Sequence, residues 1–307
     1  ATFQMTFAII TPALMIGAFV ERIKFSAMLI FLSIWLLIVY VPVTHWVWGG
    51  GILSSWGVMD FAGGIVVHAT AGTAALVTAL TLGKRRGFPK SITPPHSPIL
   101  TMIGASMLWI GWFGFNAGSA LGANGGAGMA MLVTHISAAT ASLVWMFIEW
   151  RRFGKPSLIG IVTGMVAGLA TVTPASGYIG VPGGLILGFF GGLFCYLAVD
   201  YIRGKLQIDD SLDVFAVHGV GGILGTLLVA FLATSTFSGL GLAEGQTALS
   251  QFLVQLKAVI LTIVWTSVFT YLILKITSFF VPLRVDEQEE IEGLDLRSHG
   301  EKGYHSD

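Results

Sequence analysis

Charge is what this sequence has least of. Only 10% of its 307 residues are Asp, Glu, Lys or Arg, against 54% hydrophobic, where a water-soluble chain is about a quarter charged. Sixteen basic and sixteen acidic side chains cannot cover an aqueous domain of this size, which excludes the soluble globular class. The formal net charge is zero, so no bulk field favours nucleic acid. Cysteine is nearly absent: Cys195 is the single one, lies in an apolar run and can make no internal disulfide, so it reads as a packed thiol. No serine, cysteine or carboxylate pair is placed for catalysis, which argues against an enzyme. Long polar linkers are missing as well, so residues 1–284 read as one membrane domain and 285–307 as a polar tail.

What the chain does have is long apolar runs, with 40 glycines, 21 phenylalanines and 9 tryptophans. Nearly charge-free stretches fall at about 1–20, 25–46, 61–83, 98–121, 126–148, 157–173, 183–199, 214–234 and 258–274. At a rise of about 1.5 Å per residue most of them cross roughly 30 Å of hydrocarbon. They are apolar all round rather than alternating, which excludes a transmembrane β-barrel. The expectation is an all-α polytopic membrane protein with nine crossings, of which 157–173 and 183–199 are short.

The basic residues alternate with these spans. Arg22 and Lys24 occupy the first loop, Lys84, Arg85, Arg86 and Lys90 the third, Arg151, Arg152 and Lys155 the fifth, Arg203 and Lys205 the seventh. The second, fourth, sixth and eighth loops carry none. By the positive-inside rule the odd loops and the tail are cytoplasmic and Ala1 starts outside. Lys257 alone breaks the pattern, near the outer end of the last span, from where it can snorkel to the interface. Half of the acids lie in the tail, which reads either as a solvated segment or as a cytoplasmic docking element.

Ionisable groups inside a bilayer are costly and mark function. Asp60 opens one span with His68 eight residues on; Asp210 opens another with His218 eight residues on. The loop count places Asp60 at the outer face and Asp210 at the inner one, so the two segments are related by inversion, as in transporters built from inverted repeats. Each histidine then approaches the membrane centre from its own side. Two imidazoles in contact can share a proton and pass a small hydrogen-bonding solute; two unrelated packing histidines are the plainer alternative, and two imidazoles without further ligands are too few for zinc. Asp60 and Asp210 are expected to accept backbone N–H bonds at helix starts. Trp46, Trp48, Phe3, Phe7, Trp109, Trp112, Phe113 and Phe115 gather toward the outer side; singly each is a belt or packing ring, but together, beside a hydroxyl, they can hold a small cation by the ring faces. Gly160, Gly164 and Gly168, and Gly184, Gly188 and Gly192, form small-residue faces for close helix packing. His45, His96, His135, His299 and His305 read as interfacial, loop or packing residues.

Residues 44–73 (THWVWGGGILSSWGVMDFAGGIVVHATAGT), 110–119 (IGWFGFNAGS), 173–184 (TPASGYIGVPGG), 213–222 (DVFAVHGVGG) and 293–304 (GLDLRSHGEKGY) strongly resemble the ammonium transporter family, over essentially the whole chain. The resemblance implies an inverted-repeat fold of eleven membrane helices, of which about nine have counterparts here and the first two do not, and a homotrimer with one pore per subunit in the cell membrane. It implies that Phe7, Trp48 and Ser119 recruit ammonium, that Phe7 and Phe115 form the gate, and that His68 and His218 are the pore histidines. Asp60 would support the outer site, Trp112 and Thr173 would line or flank the pore, and Asp210 would be structural. No cofactor is implied. The tail resembles the element that in bacterial members helps dock a PII-type nitrogen signalling protein. Two other readings are an ammonium sensor signalling through the tail and a related Rhesus-type gas channel, against which Trp48 speaks.

Overall fold

Lipid leaves a spanning backbone only helices or closed barrels, and the apolar segments of this chain are helical. The computed structural model describes residues 1–91 and 94–304; His305 lies outside the described residues. The apolar helices are α1 (Thr2–Ile16), α2 (Phe25–Ser55, interrupted at 49–51), α3 (Gly64–Leu82), α4 (Pro98–Ala120), α5 (Gly125–Phe153), α6 (Leu158–Val172), α7 (Val181–Lys205), α8 (Phe215–Leu232) and α9 (Ala248–Phe280). Seven of these are long and apolar enough to cross a bilayer; α1 and α6, at 15 residues, are shorter. Polar caps start several of them: Ser97, Asn124 and Ser157 each accept a backbone N–H, and Thr247 forms a capping box with Ser250.

Several boundaries differ from the apolar runs. α1 stops at Ile16 because the chain turns at Gly17, where a Cβ would come within 2.8 Å of Val214. α7 is not short: a last π-helical turn carries it to Lys205. α9 begins ten residues before the charge-free run, taking in Gln251, Gln255 and Lys257.

The loops sort cleanly between the two ends of the bundle. At one end Arg22, fully buried, donates to Ser211 Oγ at 2.9 Å and to the Asp209 carbonyl at 2.5 Å. Arg85 pairs with Asp209 at 3.1 Å and with Glu21, and Arg152 pairs with Asp200 at 2.9 Å. Burial lowers the Arg22 pKa, Asp209 opposing that shift. The chain after α9 returns to the same end, where Ile23 and Arg284 form an antiparallel bridge. A short helix α10 (Glu287–Glu292) follows, with a capping box between Asp286 and Glu289. Its Glu290 accepts from the Arg86 backbone at 2.6 Å and from Arg284 at 2.7 Å. The odd, basic loops therefore meet at one end. The loops without basic residues meet at the other, where Phe61 N–H donates to the Pro174 carbonyl and Leu240 N–H to the Tyr178 carbonyl, both at 3.0 Å.

Of the seven long helices α3 and α8 are the most enclosed, with 78% and 61% of their apolar stretches buried against 11–39% for the others. They cross where Gly72 meets Gly219: a Cβ on Gly72 would fall on the Gly219 backbone. The small-residue faces of α6 and α7 both rest on α5, Gly168 and Gly188 against the Ser137 carbonyl and Gly164 and Gly192 against that of Ala141. His135, His299 and His96 pack on Trp109, Phe25 and Tyr304, with ring centroids 5.0, 4.9 and 5.7 Å apart.

Candidate functional site

Both Asp-to-His segments place a carboxylate against the backbone at the start of a helix. Asp60 Oδ1 accepts from the backbone N–H of Gly63 and Gly64 at 2.9 and 2.6 Å, and Oδ2 from Ile65 and Val66 at 2.8 and 3.1 Å. One carboxylate thus takes the N–H groups that the first turn of a helix leaves free. Asp210 Oδ2 accepts from Phe215 N–H at 2.7 Å. Each capped start is π-helical, Gly64–Ala69 and Phe215–Gly219, and each π segment carries a histidine. A π turn inserts one residue into the helical register and is frequent at functional sites; nothing in the apolar pattern announces it.

The two segments bring His68 and His218 together across 150 residues of sequence. The rings stack with centroids 5.2 Å apart at 22°, and Nδ1 faces Nδ1 at 3.3 Å. Two facing Nδ1 atoms can hydrogen-bond only when one carries the proton and the other accepts it. Both side chains are buried, and His68 Nε2 has no protein partner. Gly222 allows this approach: a Cβ there would stand 2.5 Å from His68 Cβ and 2.8 Å from the Gly64 carbonyl oxygen.

Rings continue from His68 toward the end without basic loops. Trp112 and Phe115 of α4 lie nearly parallel to it at 5.4 and 5.9 Å. Phe115 meets Phe7 at 4.5 Å, and Phe7 meets Trp48 edge-on at 5.5 Å. Phe7 is buried and Trp48 half-buried, so the series runs from an open rim to an enclosed pair of imidazoles. Polar atoms fix its members. Trp48 Nε1 donates to the Asp60 carbonyl at 2.8 Å and Trp112 Nε1 to Thr173 Oγ1 at 2.8 Å. Ser119, one turn beyond Phe115, donates to the Phe115 carbonyl at 2.8 Å and is half-buried. Tyr178 packs against Phe61, ring centroids 5.6 Å apart; burial, with Asp60 nearby, pushes its phenol up to about 12, so it remains a neutral donor.

The structure thus joins Phe7, Trp48, Phe115, Trp112 and His68 with His218 through ring contacts, and adds Asp60 and Thr173 through hydrogen bonds. Asp210 stands apart at the basic end, adjoining the Arg22–Asp209 cluster. That cluster, and a pair of glutamines on α9, escaped sequence reasoning. Arg22 looked like a topology-setting loop charge, whereas its guanidinium is buried. Among the described residues no three His, Cys, Asp or Glu side chains converge as a metal site requires.

Comparison with known proteins agrees with this geometry. The model of the Ammonium Transporter Family matches residues 1–304. The chain is 48% identical to a putative ammonium transporter of Methanothermobacter thermautotrophicus over 99% of its own length and 74% of that protein's. It is 48% identical to an ammonium transporter of Aquifex aeolicus over 98% of its own length and 70% of the relative's. Among solved structures, one described as a sensor Amt protein superposes with a TM-score of 0.89 at 30% identity, over 96% of this chain and 75% of the other.

Proposed function

Because the chain belongs to the ammonium transporter family, we propose that it conducts ammonium by a recruit, deprotonate and relay route through the ring series. NH4+ is held at the rim by Trp48, Phe7 and Ser119, where ring faces attract a cation and a hydroxyl accepts its N–H bonds. The Phe7–Phe115 contact gates the passage below. Carrying a full charge past these rings is costly, so the proton is released and NH3 continues to His68 and His218, alone or with the proton relayed between imidazoles. Methylammonium competes because it keeps a small protonated head; potassium does not, having no proton to shed.

The buried His68–His218 pair with facing Nδ1 atoms carries this reading. Proteoliposomes test it: His68→Ala and His218→Ala each impair net uptake, and undiminished ammonium currents from the double variant would sink the relay. We further propose nine crossings, with α1 and α6 completing the seven long helices, and a membrane domain at 1–284 with a tail at 285–307. The basic end faces the cytoplasm of a cell-membrane protein, a homotrimer forms with a pore in each subunit, and the tail docks a PII-type regulator. The similarity to a protein described as a sensor supports one second reading, ammonium sensing through the tail. Transport that persists while tail variants lose growth responses would favour it.

A further inference from the structure

We propose that Gln255 is a positioning residue for ammonium recruitment: from α9, outside the ring series, it fixes the segment that orients the Trp48 indole. The inference rests on the recruitment role given to Trp48 above. Gln255 is fully buried, and an amide there is expensive unless every polar atom is met. Nε2 donates to the Met59 carbonyl at 2.7 Å and to the Thr226 carbonyl at 2.9 Å. Oε1 accepts from Met59 N–H at 2.9 Å and from Gln251 Nε2 at 3.2 Å. All four positions of the amide are used. Turning it over would set its NH2 against Met59 N–H and its oxygen against two carbonyls, so the network dictates one orientation.

Gln255 therefore pairs with both polar groups of the Met59 backbone, as a neighbouring strand would. Gln251 adds a bond to the Gly57 carbonyl at 3.0 Å. These contacts hold residues 57–59, which have no regular secondary structure beyond a turn. The next residue, Asp60, supplies two things: its carbonyl accepts the Trp48 indole N–H, and its carboxylate caps the π turn carrying His68. Thr226, the third tie, lies on α8 two turns beyond His218, its hydroxyl facing Gly64. One side chain thus ties the segment beneath the rim ring to α8. Packing alone would be served by leucine; only the hydrogen-bond pattern requires glutamine.

The test measures methylammonium uptake by the protein in proteoliposomes for Gln255→Leu, in the parent and in a Trp48→Leu background. Loss of these bonds raises KM about ten-fold with Vmax per inserted molecule retained, and adds nothing to KM once Trp48 is gone. A purely structural role lowers Vmax without moving KM, or has the same effect in both backgrounds; either result overturns the proposal. If Gln255→Leu does not insert, Gln251→Leu serves, with a rise of about three-fold, and an unchanged KM overturns it. Fluorotryptophan labelling reads the indole independently of transport. The Trp48 fluorine resonance, assigned by its loss in Trp48→Leu, shifts and broadens in the glutamine variant, and an unmoved line refutes the idea. A parent that takes up no methylammonium while the Trp48 line still moves would instead refute the transport reading.

Discussion

A histidine pair buried from water must find its hydrogen-bond partners among its neighbours. His68 and His218 find one another, and each ring is thereby the other's principal polar contact. His218→Ala should lower methylammonium uptake at least ten-fold, to about 10% of the parent or less, because His68 loses the imidazole that faces it. Uptake near the parent rate would remove the pair from the mechanism. Asp60 works differently, through backbone. Its carboxylate accepts four N–H groups, and Asp60→Ala strands them in a buried site at a cost of about 3 kcal/mol or more. Thermal unfolding in detergent measures that loss, and an unchanged midpoint would show the N–H groups satisfied elsewhere. The Asp-to-His spacing was legible in the sequence because eight residues along the chain is a local relation. The facing Nδ1 atoms were not, since ring orientation depends on what packs around each imidazole.

At the scale of elements, the crossing of α3 and α8 decides whether the imidazoles meet. Gly222→Ala would force a methyl against His68 Cβ and the Gly64 carbonyl, an overpacking costing about 1–3 kcal/mol. Uptake and thermal stability should fall together, whereas Gly104→Ala, with nothing within 4 Å of the added carbon, changes neither. Equal effects of the two would contradict the crossing. The α10 segment offers a separate test. Glu290 ties it to Arg86 and Arg284, so Glu290→Ala should speed proteolysis between 281 and 304 several-fold, and an unchanged cleavage rate would mean other contacts hold the tail. Helix existence followed from apolar run length, whereas the Ser, Asn and Thr caps that start several helices were not read from it. The π turns did not follow either, because they depend on where a helix must shift register to aim a side chain.

For the whole molecule, the sorting of charge between two ends carries the topology. Eleven of the 16 basic residues lie in the odd loops, and the fold gathers those loops at one end with the tail. If that end is cytoplasmic, Lys302→Cys reacts with an impermeant maleimide in inside-out vesicles and not in intact cells. Cys195 is buried and leaves a quiet background; the opposite labelling pattern would invert the orientation.

Membrane residence, helical class and the sequence of basic and non-basic loops follow from composition and order alone, because transfer of apolar surface into lipid and the cost of moving charge add up residue by residue along the chain. Tertiary structure was needed for everything that depends on which helices become neighbours. Arg22 changes from a loop charge to a buried tie only against Asp209 and Ser211, and Gln255, which the sequence did not single out, becomes a brace only against Met59 and Thr226. Those partners lie far along the chain, and hydrogen bonds act over about 3 Å, so no reading of local pattern can supply them.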